Sequence, residues 1–234
     1  MDDMAKIRDA KPKNPSGAYE RVFDSKELGD LMTKIQSTSI RNGNELENII
    51  KREVNNEYII DDFDYFLQNF NQSKQESITK LLSKEAIRKF NKKHSQGEMS
   101  YQPDFIVIKI DVKNKSCYII ELKDGYNFDT KKSDGEKQHL LEYKDYLSKI
   151  IDFDIKIKFC CFNEIDKHKI RTGSKNRFEI DEIMTGKEFC DLLNINYNKI
   201  IEMRKQDVID NLEYFISELL KIEKIKSLIE EKLK

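Results

Sequence analysis

The chain has 234 residues, with 42 basic and 43 acidic side chains and a formal charge of −1, so a polyanionic partner would have to be met by local positive charge and not by an overall field. Charged residues make up 36% and no apolar run approaches the length of a membrane span; the Met-Asp-Asp-Met-Ala-Lys start lacks the apolar stretch of a secretion signal. These features argue against a membrane or secreted protein and for a soluble, cytoplasmic one. Cys117, Cys160, Cys161 and Cys190 form no C-x-x-C pair and no histidine stands at ligand spacing, so they read as free buried thiols, with no zinc site expected.

Residues 1–24 are polar, include Lys11-Pro-Lys-Asn-Pro-Ser-Gly17, and read as an irregular arm. Ser25 is placed to cap a helix with Leu28, Leu31, Met32 and Ile35 on one face. Arg41-Asn-Gly-Asn44 predicts a break, and a second helix from Glu45 carries Leu46, Ile49, Ile50 and Val54. Further helical patterns lie near 62–70 and 75–92, the latter with Ile78, Leu81, Leu82 and Phe90. The region 25–97 is therefore expected to be mainly helical.

The pattern changes at Gln102. Strands are predicted over 104–111 and 117–123, turned at Asp111-Val-Lys-Asn-Lys-Ser116 into an antiparallel hairpin. A helix over 134–151 directs Leu140, Tyr143, Leu147, Ile150 and Ile151 inward. Ile155-Lys-Ile-Lys-Phe-Cys-Cys-Phe162 reads as a third strand and Arg177-Phe-Glu-Ile180 as a shorter fourth. Thr185-Gly-Lys-Glu188 has the form of a capping box. A long helix is predicted over 205–233; its apolar stripe through Val208, Leu212, Phe215, Leu219 and Ile222 suits either packing on the chain's own core or a dimer seam. The organisation is thus an arm at 1–24, a helical region at 25–97, an α/β core at 98–200 and a C-terminal helix at 201–234.

Two short motifs carry chemistry. Pro103-Asp104 opens the first hairpin strand and Glu121-Leu122-Lys123 closes the second, with sixteen residues between the two carboxylates. Side chains two apart on a strand share a face at about 7 Å, so Glu121 and Lys123 project together while Leu122 turns into the core and leaves its carbonyl as a possible ligand. The hairpin can bring Asp104 beside Glu121. Mg²⁺ takes oxygen ligands and keeps several waters, so two carboxylates suffice to hold it. Such an ion acidifies bound water and neutralises charge on a phosphoryl group, and a nearby ammonium can orient or help deprotonate the attacking water.

This constellation resembles the PD-(D/E)xK nuclease superfamily over roughly residues 98–165, including the following helix, where Gln138-His-Leu-Leu-Glu-Tyr143 is similar to the Gln and Tyr often found there. The resemblance implies a restriction-endonuclease-like α/β fold with a mixed central sheet flanked by helices, Mg²⁺ dependence and cleavage of nucleic acid. It assigns Asp104, Glu121 and Lys123 to catalysis and Asp104, Glu121 and the Leu122 carbonyl to the metal. Gly43-Asn-Glu-Leu-Glu47 looks like the helix element that many restriction enzymes carry before the core, which makes Glu47 a further candidate; Glu45 and Glu98 are weaker ones.

Candidate DNA contacts lie in Lys167-His-Lys-Ile-Arg-Thr-Gly-Ser-Lys-Asn-Arg177, read as a loop offering Arg171, Lys175, Asn176 and Arg177, and in Arg41, Asn42, Lys131, Lys132 and Gln138. The length suits a stand-alone enzyme and no G-x-x-x-x-G-K-[ST] motif is present, so the resemblance is closest to type II restriction endonucleases. That implies site-specific cleavage of double-stranded DNA, a homodimer matching a two-fold site, and a cognate DNA methyltransferase. A structure-selective repair or junction-resolving nuclease and a non-catalytic DNA-binding module are the alternatives.

Overall fold

The computed structural model describes residues 5–13, 18–70, 77–95, 99–111, 113–128 and 130–233. Part of the Lys11–Gly17 stretch, and Glu98, lie outside the described residues. In chain order the elements are α1 (Tyr19–Phe23), α2 (Lys26–Glu53), β1 (Ile59–Ile60), α3 (Phe63–Asn69), β2 (Ile78–Leu82), α4 (Lys84–His94), β3 (Phe105–Ile110), β4 (Lys115–Lys123), α5 (Thr130–Ser148), β5 (Asp154–Cys161), α6 (Lys167–Gly173), β6 (Ile183–Thr185), α7 (Gly186–Leu193), α8 (Tyr197–Leu219) and α9 (Glu223–Lys232). The chain divides into two compact units, one of Met1–Ile50 with Asn198–Lys234 and one of Lys51–Tyr197.

The second unit holds the expected mixed sheet flanked by helices. Its six strands lie in sequence order; β2–β3 and β3–β4 are antiparallel, while β1–β2, β4–β5 and β5–β6 are parallel. Parallel strands need a crossover, and α5 supplies the one between β4 and β5. The hairpin β3–β4 is the middle of the sheet, which explains why Phe105-Ile-Val-Ile108 is apolar on both faces. One face packs Ile106, Ile108, Cys117 and Ile119 against α3, α4 and α5 through Phe63, Phe90, Leu140, Tyr143 and Leu147. On the other face the Phe105 ring meets Phe189 of α7 edge-on at 5.1 Å. The predicted capping box starts α7: Thr185 Oγ1 accepts from the Glu188 N–H while the Glu188 carboxylate accepts from the Thr185 N–H. All four cysteines are buried and unpaired.

In the first unit Ser25 caps α2 as expected, its hydroxyl accepting from the Leu28 N–H at 3.2 Å. The N-terminal segment lies along α8: Asn211 donates to the Ala5 carbonyl and accepts from the Ile7 N–H, and Lys6 pairs with Asp210 at 2.8 Å. Lys34 joins α2 to α8 through the Tyr214 hydroxyl. Along α8 and just past its end, the apolar row Val208, Leu212, Ile216 and Leu220 is 66, 56, 46 and 45% exposed. Among the described residues no helix is long and apolar enough to cross a membrane.

Five expectations need correction. Helix α2 runs unbroken through Arg41-Asn-Gly-Asn44. A mid-helix glycine costs about 1 kcal/mol against alanine, and here the buried positions Leu28, Leu31, Thr38, Leu46 and Ile49 stay in phase across Gly43, so burial outweighs it. Residues 78–82 are a strand and not helix: Ile78, Leu81 and Leu82 fit either period, but the segment pairs with β3, and Ser83 then caps α4 through the Ala86 N–H. The fourth strand is not at 177–180. That stretch is irregular and carries Phe178 into the core, stacked on Phe159 at 4.3 Å, and the strand forms at β6 instead. The 167–173 half of the supposed loop is helix α6, started by Asp166, whose carboxylate accepts from the His168 N–H. The C-terminal helix is two helices, α8 and α9, divided where Ile222 is extended (φ −83°, ψ 104°); no proline or glycine marks that break.

Candidate active site

The site candidates converge where β3 begins and β4 ends. Pro103 has no N–H to give a ladder, so it suits the position just before β3, and Asp104 follows it. The strand register sets Phe105 opposite Ile120, which carries Leu122 past the end of β3. There the Leu122 N–H donates to Asp104 Oδ2 at 2.8 Å. A strand residue points its N–H and C=O toward the same neighbour, so the Leu122 carbonyl faces the Asp104 edge as well.

Glu121 and Lys123 emerge on the α5 face, and Lys123 Nζ lies 2.6 Å from Glu121 Oε1. Glu121 is only 7% exposed. Its other oxygen, Oε2, accepts from the Tyr101 hydroxyl at 2.6 Å. Burial first, and the Asp104 charge second, push the Glu121 carboxyl up to about 7 despite the opposing Lys123 ammonium. Burial alone would lower the Lys123 ammonium, but the Glu121 and Glu136 carboxylates hold it above the ordinary lysine range, so it carries its charge at neutral pH.

Two members of this cluster were not foreseen. Glu136, in the first turns of α5, brings Oε1 to 2.7 Å from Lys123 Nζ. Tyr101 is held between rings, stacked on His139 at 5.0 Å and edge-on to Tyr143 at 5.9 Å. Tyr143, part of the helix pattern singled out from the sequence, is a core residue whose hydroxyl donates to Asn91 Oδ1 at 2.7 Å. Glu136 stands fifteen residues after Glu121, at a spacing no strand or helix period links to it; only the packing of α5 on β4 does.

The donor set suits a hard divalent cation. Asp104 and Glu121 offer carboxylate oxygens with the Leu122 carbonyl beside them. Among the described residues no group of three or more His, Cys, Asp or Glu side chains is arranged as a metal cage.

The remaining candidates are scattered by comparison. Lys131 and Lys132 are exposed at the start of α5. Gln138 is spent on a surface bond to Glu142 one turn on. Arg171 pairs with Glu179 at 3.0 Å and Arg177 with Asp134 at 2.7 Å. Lys175 and Asn176 are exposed and left-handed (φ 56° and 58°), closing α6 in a Schellman arrangement with Asn176 N–H on the Arg171 carbonyl and Lys175 N–H on the Thr172 carbonyl. Nearby, the backbone after β4 passes so close to α6 that a Cβ on Gly173 would sit 1.8 Å from the Tyr126 carbonyl oxygen. Arg41, exposed, and Asn42, half-buried, lie on α2 in the first unit, as does Glu47, which is buried.

No protein-family model and no solved structure matches the chain. It is similar along nearly its whole length to the type II restriction enzyme HhaII of Haemophilus parahaemolyticus, with 35% identity over 224 residues, covering 95% of this chain and 97% of the relative. A match of that extent leaves no large domain unshared, and the chain belongs to the type II restriction enzyme family.

Proposed function

We propose that this chain is a Mg²⁺-dependent, site-specific endodeoxyribonuclease of the PD-(D/E)xK type, hydrolysing phosphodiesters in double-stranded DNA. The observation that carries the reading is the contact of Lys123 with a buried Glu121 beside Asp104, at a strand end, in a chain of this family. Asp104, Glu121 and the Leu122 carbonyl would hold Mg²⁺, which when bound acidifies a water and offsets phosphoryl charge. Lys123, set between the Glu121 and Glu136 carboxylates, acts as a charge and a hydrogen-bond donor, orienting water and phosphate. Water attacks phosphorus and gives up a proton to solvent, the bond to the leaving alkoxide breaks, and the alkoxide takes a proton from solvent.

Lys131, Lys132, Lys175 and Asn176 are proposed as contacts to phosphate or base, with Gln138, Arg171 and Arg177 entering if DNA displaces their present partners. Arg41 and Asn42 are proposed as a second group. A two-fold homodimer fits cleavage of both strands, and the exposed row on α8 is the surface proposed for it. A methyltransferase of the same specificity is the expected companion.

The test is digestion of a long defined duplex with Mg²⁺ against EDTA. Discrete fragments are expected. Cutting only branched or single-stranded DNA would replace this reading with a repair-type nuclease, and no metal-dependent cutting of any substrate would leave a binding module. Glu47→Ala tests the helix element: a Glu47 that acts in the reaction lowers the cleavage rate with DNA affinity kept, whereas an unchanged rate removes it.

A further inference from the structure

We propose that Glu136 is a positioning residue: it keeps Lys123 aimed across the site when Glu121 turns to a cation, and it does so without binding the cation itself. The inference rests on the assignment of Asp104, Glu121 and Lys123 above.

Both oxygens of Glu121 are engaged, Oε2 by the Tyr101 hydroxyl and Oε1 by Lys123 at 2.6 Å each. A divalent cation at Asp104 and Glu121 needs lone pairs from that carboxylate and brings positive charge beside the ammonium. Contact between Lys123 and Oε1 is therefore what cation binding weakens. A lysine is a flexible stem with rotatable donors, and one that loses its single anchor swings free. Lys123 has a second anchor, Glu136 Oε1 at 2.7 Å. Glu136 sits one turn before Leu140 on a helix whose Leu140, Tyr143 and Leu147 are fully buried, so the anchor stands on a fixed element. Tyr101, wedged against His139 and Tyr143, fixes the other side of Glu121.

The test compares Glu136→Ala, Glu136→Asp, Lys123→Ala and the Glu136→Ala/Lys123→Ala pair in single-turnover cleavage with saturating Mg²⁺, alongside Ca²⁺ binding by calorimetry. Alanine is a good helix residue at this partly exposed position, so the variant folds. Glu136→Ala is expected to slow cleavage by about 10- to 100-fold, as for other residues that orient a site side chain. Glu136→Asp should recover part of the rate. The double variant should be no slower than Lys123→Ala alone, because Glu136 works through Lys123. Ca²⁺ affinity should stay close to wild type in Glu136→Ala and fall in Asp104→Ala. A wild-type rate in Glu136→Ala, a multiplicative loss in the double variant, or Ca²⁺ binding lost as in Asp104→Ala would each overturn the proposal. If the wild-type protein cuts no DNA with Mg²⁺, the nuclease reading itself falls and this role falls with it.

Discussion

Two couples of carboxyl groups, each with a buried glutamate, are treated differently by the structure. Asp104 and Glu121 meet at the end of β4, and Glu45 and Asp207 meet between α2 and α8. In both places burial comes first among the causes that push a carboxyl upward, and the companion carboxylate adds to it at Glu121 and at Glu45. At the α2–α8 couple the ammonium is distant: Lys6 is 4.0 Å from Asp207 and is committed to Asp210. Neither Asp207 oxygen has a hydrogen-bond partner while both groups are ionised, and a proton on Glu45 supplies one. At β4 an ammonium touches Glu121 and is shared with a further carboxylate, a backbone N–H holds Asp104, and a tyrosine holds Glu121. An upward-shifted carboxyl therefore reports burial. Convergent donors around it are what mark a place built for charge to come and go.

Five substitutions would break or sharpen that contrast. The largest effect is expected from Asp104→Ala or Glu121→Ala, which should lower cleavage by about 10³-fold or more with DNA binding still measurable in Ca²⁺; full activity would remove the site assignment. Lys123→Ala should cost about 10²- to 10³-fold in rate, as loss of one preorganised donor does elsewhere. Gly173→Ala forces a methyl into the Tyr126 carbonyl and should destabilise the fold by about 2 kcal/mol in urea denaturation, shifting the strap that follows β4. The smallest effect is expected at the other couple. Carboxyls raised in the folded state contribute stability that is complete below their ordinary values, 4.5 for Glu45 and 3.8 for Asp207, and is lost as pH rises through the folded values. Asp207→Asn should accordingly flatten the fall in urea midpoint toward neutral pH and leave cleavage by the purified protein unaltered; a profile as steep as wild type would remove Asp207 from that couple.

The central hairpin was legible because two periods agreed: an apolar run after Asp104, another before Glu121, and a turn between them. The strands, α5 and the capping box of α7 follow the same logic. What misled was local chemistry that tertiary packing overrides. Gly43 looked like a break but sits on a helix held in phase by buried leucines and isoleucines. Ile78, Leu81 and Leu82 satisfy a helical spacing and a buried strand equally, and pairing to β3 decides. The aromatic Phe178 suggested a strand but serves as a plug. Tyr101 and Glu136 were invisible for a different reason: a tyrosine ahead of a strand and a glutamate on a charged helix are ordinary, and only the closure of α5 over β4 gives them a role.

Apart from Glu47, everything proposed for the chemistry lies within Tyr101–Glu136, one hairpin and the first turns of the helix that follows it. The reactive cluster is thus a contiguous cassette, carried by one stretch of sequence. Other regions, including whatever reads the DNA, can be lengthened or rewritten over evolutionary time without that cluster having to be invented again.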